Sequence, residues 1–205
     1  ISSPIADVYN DFKYCAPGGA AADAVQKKIY WANSGSTSAL FKFDLLGSTS
    51  TRIGEMTLPA NDFQGHALNP NHIFSVTGIA FNSSTQKLYA LGYDDNYLLL
   101  VATVDPTSAQ LSNVIPLDTS AGIGSFIDSE TNGLTFSYNP RDSNFIVAST
   151  RKNAGDSKFH LWSFDPTTGL GTDLGGNTNS SFTSSNRHFT SLAIDSNGVL
   201  WGDDS

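Results

Sequence analysis

The 205-residue sequence predicts an all-β fold of repeated four-stranded antiparallel sheets, and three observations predict it. First, Leu40-Phe41-Lys42-Phe43-Asp44, Val101-Ala102-Thr103-Val104-Asp105-Pro106 and Leu161-Trp162-Ser163-Phe164-Asp165-Pro166 end alike, with their aspartates 61 and then 60 positions apart. A fixed period of this size marks several copies of one supersecondary unit. Second, apolar and polar residues alternate along short runs, as half-buried strands require, while the three-and-four spacing of a helix is nearly absent. Third, the runs stop at Gly, Pro, Asn or Asp, which preset or tolerate the dihedrals of turns.

The clearest copy supplies the unit. A strand over Thr77–Phe81 turns through Asn82-Ser83-Ser84-Thr85-Gln86 and returns as Lys87–Gly92. A third strand, Leu98–Asp105, follows Asp94-Asp95-Asn96, and a fourth covers Gln110–Leu117. The next copy repeats the plan with Gly133–Phe136, Asn144–Ala148, Phe159–Asp165, a Pro166-Thr167-Thr168-Gly169 turn and a strand at Gly171–Leu174. Partial copies flank these. Lys28–Ala32, Ala39–Asp44 and Thr51–Thr57 match the second to fourth strands, and Phe189–Asp195 with Val199–Asp203 matches the first two across a Ser196-Asn197-Gly198 turn. Second strands align at Tyr30, Tyr89, Ile146 and Trp201, spaced 59, 57 and 55.

A Gly-Ile-Ala-Phe-like strand, a hairpin, a Leu-Tyr-Ala-like strand and an aromatic-x-aromatic-Asp-Pro-x-Thr-Gly turn together resemble the blades of secreted β-propellers. That group includes uncharacterised extracellular propellers and, more distantly, regucalcin and gluconolactonase-like proteins. The resemblance covers Gln26 to Ser205 and implies a β-propeller with blades over about 26–60, 74–118, 131–176 and 188–205. It does not name a ligand, because one propeller fold hosts enzymes, lectins and scaffolds.

At about 57 residues per repeat, the chain holds about three and a half blades, while propellers close with about four to eight. Unfinished rings leave strand edges bare. The expectation is therefore a part of something larger, completed by further blades in cis or by a partner chain. The alternative is a compact four-bladed ring in which residues 1–25, around Val8–Tyr14, supply a missing strand.

Charged residues make up 15%, with 19 acidic against 11 basic and a net charge of −8. Such a surface repels phosphate backbones and anionic lipid, and no apolar run reaches the roughly 20 residues of a membrane span. Neither a nucleic-acid nor a membrane-spanning role is expected. The single Cys15 can form no internal disulfide, so it is either a thiol or a link to a segment outside the chain. Asn82-Ser83-Ser84 and Asn179-Ser180-Ser181 are N-glycosylation acceptors in segments expected to be exposed, which fits an extracellular or cell-surface glycoprotein.

Metal chemistry has one candidate constellation. Asp94 and Asp203 follow equivalent second strands, and Asn33 holds the same place in the first copy. If those ends share a rim, their oxygens suit Ca²⁺. The resemblance to regucalcin-like enzymes implies a rim metal site, yet no early Glu matches it and one copy carries Thr150-Arg151-Lys152. The favoured reading is that these residues end strands and cap turns, as the recurring Asp44, Asp105 and Asp165 do. His66, His72, His160 and His188 show no zinc spacing, and no nucleophile elbow or phosphate-binding loop occurs. Trp31, Trp162 and Trp201 are expected between blades, whereas Tyr93, Tyr97 and Tyr138 lie nearer loops, where a sugar could stack. The long polar loops 119–129 and 175–187 would carry recognition of a protein or carbohydrate ligand. The function expected is that of a non-catalytic binding or structural module without a cofactor. The alternatives are a metal-dependent secreted hydrolase or lactonase, and a subunit of an extracellular filament or surface layer.

Overall fold

The computed structural model describes residues 17–33, 38–68, 74–94, 98–117, 135–141, 143–149, 160–176, 189–195 and 197–204. They form fourteen strands and no helix. The first sheet holds β1 (Pro17–Asp23), β2 (Lys28–Asn33), β3 (Ala39–Asp44) and β4 (Thr49–Glu55), and the second β5 (Ser75–Asn82), β6 (Lys87–Tyr93), β7 (Leu99–Val104) and β8 (Leu111–Pro116). The third holds β9 (Thr135–Tyr138), β10 (Phe145–Ser149), β11 (His160–Phe164) and β12 (Gly171–Gly176), while β13 (Phe189–Ile194) and β14 (Leu200–Asp204) form a pair. Strand order within every sheet follows the chain, and all pairings are antiparallel. The architecture is therefore three complete propeller blades and half of a fourth.

Register reproduces the aligned positions. Tyr30, Tyr89 and Ile146 on the second strands stand opposite Lys42, Thr103 and Ser163 on the third. On the inner side the partners of Tyr30, Tyr89, Ile146 and Trp201 are Ala21, Ala80, Ser137 and Ala193. Blades converge toward the axis, so the first strand has room for a small residue where the second carries a large one.

Blade 1 opens at Pro17, with its first strand later than Val8–Tyr14, which lies outside the described residues. Pro17-Gly18-Gly19-Ala20-Ala21-Ala22 has neither β-branched residues nor alternation, so pairing with β2 and packing on β5 make it a strand where local propensity does not. The inner strands pack in the order β1, β5, β9, β13, and no comparable packing joins β13 to β1 among the described residues. At the β1–β5 approach Gly19 has φ 90°, and a methyl there would lie 2.9 Å from the Ile79 nitrogen and 3.0 Å from the Gly78 Cα.

Apolar faces bury against one another between blades. Tyr30, Ala32 and Leu40 of blade 1 join Ile79, Leu88, Ala90, Leu100, Ala102 and Val104 of blade 2 in one cluster. The opposite face of blade 2, with Leu91, Leu99 and Val101, meets Tyr138, Phe145, Trp162 and Phe164 of blade 3. Because both faces of β6 and β7 are covered, Leu98–Val104 reads as a nearly unbroken apolar run rather than a strict alternation. Aromatic contacts cross each seam: Tyr30 stacks on Phe81 at 6.4 Å, and Tyr89 meets Phe145 edge-on at 4.7 Å. A third cluster, Trp31 on Phe41 at 5.5 Å with Ala39 beside them, forms on the other face of blade 1.

Candidate functional site

The two ends of the blades are built differently. At one end, each described hairpin is closed by an Asp or Asn whose side-chain oxygen accepts backbone N–H groups two to four residues on. Asp23 takes those of Val25 and Gln26, Asp44 those of Leu46 and Gly47, and Asn82 those of Ser84 and Thr85. Asp105 takes Thr107, Asn139 takes Arg141, Asp165 takes Thr167 and Thr168, and Asp195 takes Asn197 and Val199. The period of Asp44, Asp105 and Asp165 is thus a turn-forming period. Hydrogen bonds from Gly47 and Leu46 hold the Asp44 carboxyl below its ordinary value, and Thr107 does the same for Asp105 through its hydroxyl and its amide.

At the other end lie the connections between second and third strands and between successive blades, which range from 94–98 to 56–74. Asn33 and Asp94 stand there, each with a local partner. The Asn33 side-chain oxygen accepts the Ala39 amide at 2.6 Å. Asp94 is 7% exposed; its carboxylate accepts the Leu98 amide at 2.9 Å, and its own amide donates to the Leu98 carbonyl. Both side chains therefore brace the connection leading into the third strand. Asp203 lies on β14, opposite Ser191. Among the described residues no group of three or more His, Cys, Asp or Glu side chains is placed to hold a metal.

Several expected positions differ in the structure. Asn82 is expected to stand exposed as a glycan acceptor, but it is 4% exposed, and its carboxamide oxygen accepts the Ser84 and Thr85 amides of the turn it caps. Tyr138, expected near a binding loop, is 6% exposed and packs edge-on to Phe145. Trp162 lies in the seam between blades 2 and 3, as expected, whereas Trp201 is 62% exposed because no described blade follows β14. Asn179, Cys15, Tyr97, His72 and His188 lie outside the described residues. His66 is exposed and pairs with Asp62 at 3.0 Å. Partial burial raises the Asp62 carboxyl, but hydrogen bonds from the His66 amide and ring and from the Gln64 amide reverse this and leave it below its ordinary value.

The structure also shows a feature that sequence reasoning missed: a cleft of about 260 Å³ between blades 2 and 3. Its floor is Tyr89, Val101 and Ile115, and its rim carries Lys87, Thr103 and Asn113 from blade 2. Pro166 and Thr167 of the β11–β12 turn close the far side, and Phe63 closes the outer side. Burial raises the Tyr89 phenol, partly offset by a hydrogen bond with Thr85. These residues span positions 63 to 167, so no local motif could announce them.

Repeated four-stranded antiparallel blades around inner strands define a β-propeller. No family model and no curated protein matches the sequence. Solved structures share the fold. A Bacteroides thetaiotaomicron protein of unknown function matches with a TM-score of 0.56 and 14% identity, over 90% of this chain and 41% of its own. TolB from Acinetobacter baumannii matches at 0.51 and 16%, over 92% and 37%, and a luciferin-regenerating enzyme at 0.53 and 13%, over 97% and 56%. The chain thus spans between about a third and somewhat over half of the length of these neighbours. At such identities the likeness is one of fold.

Proposed function

We propose that these residues are part of a larger extracellular or cell-surface β-propeller that acts as a non-catalytic binding module, with recognition carried by the long connections opposite the Asx-capped turns. One observation supports the larger ring above the others. Tyr30 and Tyr89 each reach an aromatic ring of the following blade, whereas Trp201, at the same aligned position of the half blade, is 62% exposed beside an exposed Val199. A position that packs in blades 1 and 2 and faces water in the half blade fits a ring continued by further strands, supplied in cis or by a partner chain. Binding rather than chemistry is supported by the carboxylates: Asp23, Asp44, Asp94, Asp105, Asp165 and Asp195 all accept backbone hydrogen bonds at turns or connections. Acidity spent in this way serves the fold.

Two measurements test the reading. The intact mass of the natural polypeptide, together with light scattering of its native assembly, should exceed that of 205 residues. A native monomer of this length alone would refute the larger ring. Calorimetric titration with Ca²⁺ addresses the competing metal-dependent hydrolase: tight binding abolished by Asp94→Ala and Asp203→Ala would replace the binding module with that enzyme class.

A further inference from the structure

We propose that the cleft between blades 2 and 3 is a binding site for a single neutral sugar ring. The inference shares with the proposed function only the idea of a binding module; it depends neither on loops 119–129 and 175–187 nor on ring closure.

Three separate devices build the cleft. The first is a bulge in β8: the pairing with β7 shifts between Val101↔Ile115 and Thr103↔Ser112, and Asn113 takes φ 47°. Bulges turn side chains out of the ladder and occur often beside functional sites. The second is the close approach of the β11–β12 turn. Gly169, at φ 72°, comes so near β8 that a methyl there would overlap the Pro116 carbonyl and the Ile115 side chain, which sets Pro166 and Thr167 against blade 2. The third is the β4–β5 connection, where 60–68 closes on itself through an Asn61↔Ala67 bridge and the Leu68 amide on the Ala60 carbonyl. There the Phe63 amide donates to the Val114 carbonyl at 3.0 Å, which fixes a 39% exposed aromatic ring at the cleft mouth.

Chemistry of the lining selects the ligand. An apolar floor and two aromatic rings suit a flat face of C–H groups, while the Thr and Asn side chains and the Lys87 ammonium suit hydroxyls around its edge. Among the described residues no carboxylate lines the cleft, so a cation finds no counter-charge from them there. An anion would meet one exposed ammonium on a chain of net charge −8, which leaves neutral ligands favoured. A volume of about 260 Å³ is below the roughly 300–1,000 Å³ of sites for drug-sized molecules, so the cleft itself holds about one ring.

Saturation-transfer NMR on the full chain, with glucose, galactose, mannose and xylose as probes, tests the proposal. At least one should receive saturation, with a dissociation constant on the order of 1 mM. Asn113→Gly keeps the left-handed bulge while removing the amide, and Phe63→Ala removes an exposed ring. Each should weaken binding about tenfold, with circular dichroism and thermal midpoint preserved. Transfer unchanged in both variants, no transfer to any probe, or displacement of the sugars by a proline-rich or aromatic peptide would overturn the cleft as a sugar site. None of these results would touch recognition by loops 119–129 and 175–187, which replacing loop 119–129 tests separately.

Discussion

Five of the seven described hairpin turns place a residue other than glycine in the left-handed region: Lys27, Ser48, Gln86, Ala109 and Ser143, all with φ between 50° and 62°. Each stands four positions after the Asp or Asn that caps its turn. The side chain at the start of the turn holds the backbone firmly enough to impose a conformation that costs about 1–2 kcal/mol in an ordinary residue. Asn82 shows what that cap contributes. Asn82→Ala should lower stability by about 1–2 kcal/mol in urea denaturation, because two backbone donors lose their partner at a buried position, while Asn82→Asp should keep most of it. The aspartates make the turns pH-sensitive. Asp44, Asp105 and Asp195 lie below the ordinary 3.8, held there first by the Gly47 amide, the Thr107 hydroxyl and the Val199 amide respectively. A carboxyl depressed in the folded state stabilises fully above its unfolded value and loses that contribution as pH falls through the folded one. The urea midpoint is therefore expected to stay level from neutral pH to about 5 and to drop below about 4, with a shallower drop when Asp44, Asp105 and Asp195 are all changed to Asn.

Among the elements, hairpins with apolar flanks and a polar cap were legible and β1 was not. Lys87–Gly92 and Ala39–Asp44 carry enough large apolar residues to be read as strands alone. Pro17–Asp23 owes its state to its neighbours: small residues let β1 lie close against β5 near the axis. Gly19→Ala should consequently cost about 2 kcal/mol or more, through a left-handed dihedral and a methyl driven against the backbone of Gly78 and Ile79, as thermal unfolding would show. An unchanged midpoint would mean that β1 and β5 are not held at this distance. The cleft belongs to the same scale. Its walls come from β6, β7, β8, the β11–β12 turn and the β4–β5 connection, and pattern along the chain says nothing about which turn of one blade reaches a strand of the next.

At the scale of the molecule, packing passes from blade to blade by face contact, so the array can continue wherever a face stays open. The outer edge of β14 has no strand pairing among the described residues, and Trp201 and Val199 beside it are 62% and 47% exposed. An apolar face along a bare edge invites pairing with another chain. The isolated 205-residue chain should therefore self-associate with rising concentration, and Val199→Lys with Trp201→Lys should shift it toward monomer in sedimentation velocity. No change in the sedimentation coefficient between the two would show that this edge drives no association.

Sequence by itself determined the all-β class, the period, the second-strand alignment at Tyr30, Tyr89, Ile146 and Trp201, and the turn positions. These follow from interactions within one hairpin or from repetition along the chain, and both leave local marks. Only the tertiary structure decided that Tyr138 is core, that an Ala-rich segment is a strand, and that residues about a hundred positions apart line one cleft. Those outcomes depend on what the neighbouring blade places against a side chain, and burial by a distant segment leaves no periodic trace in the residues it covers.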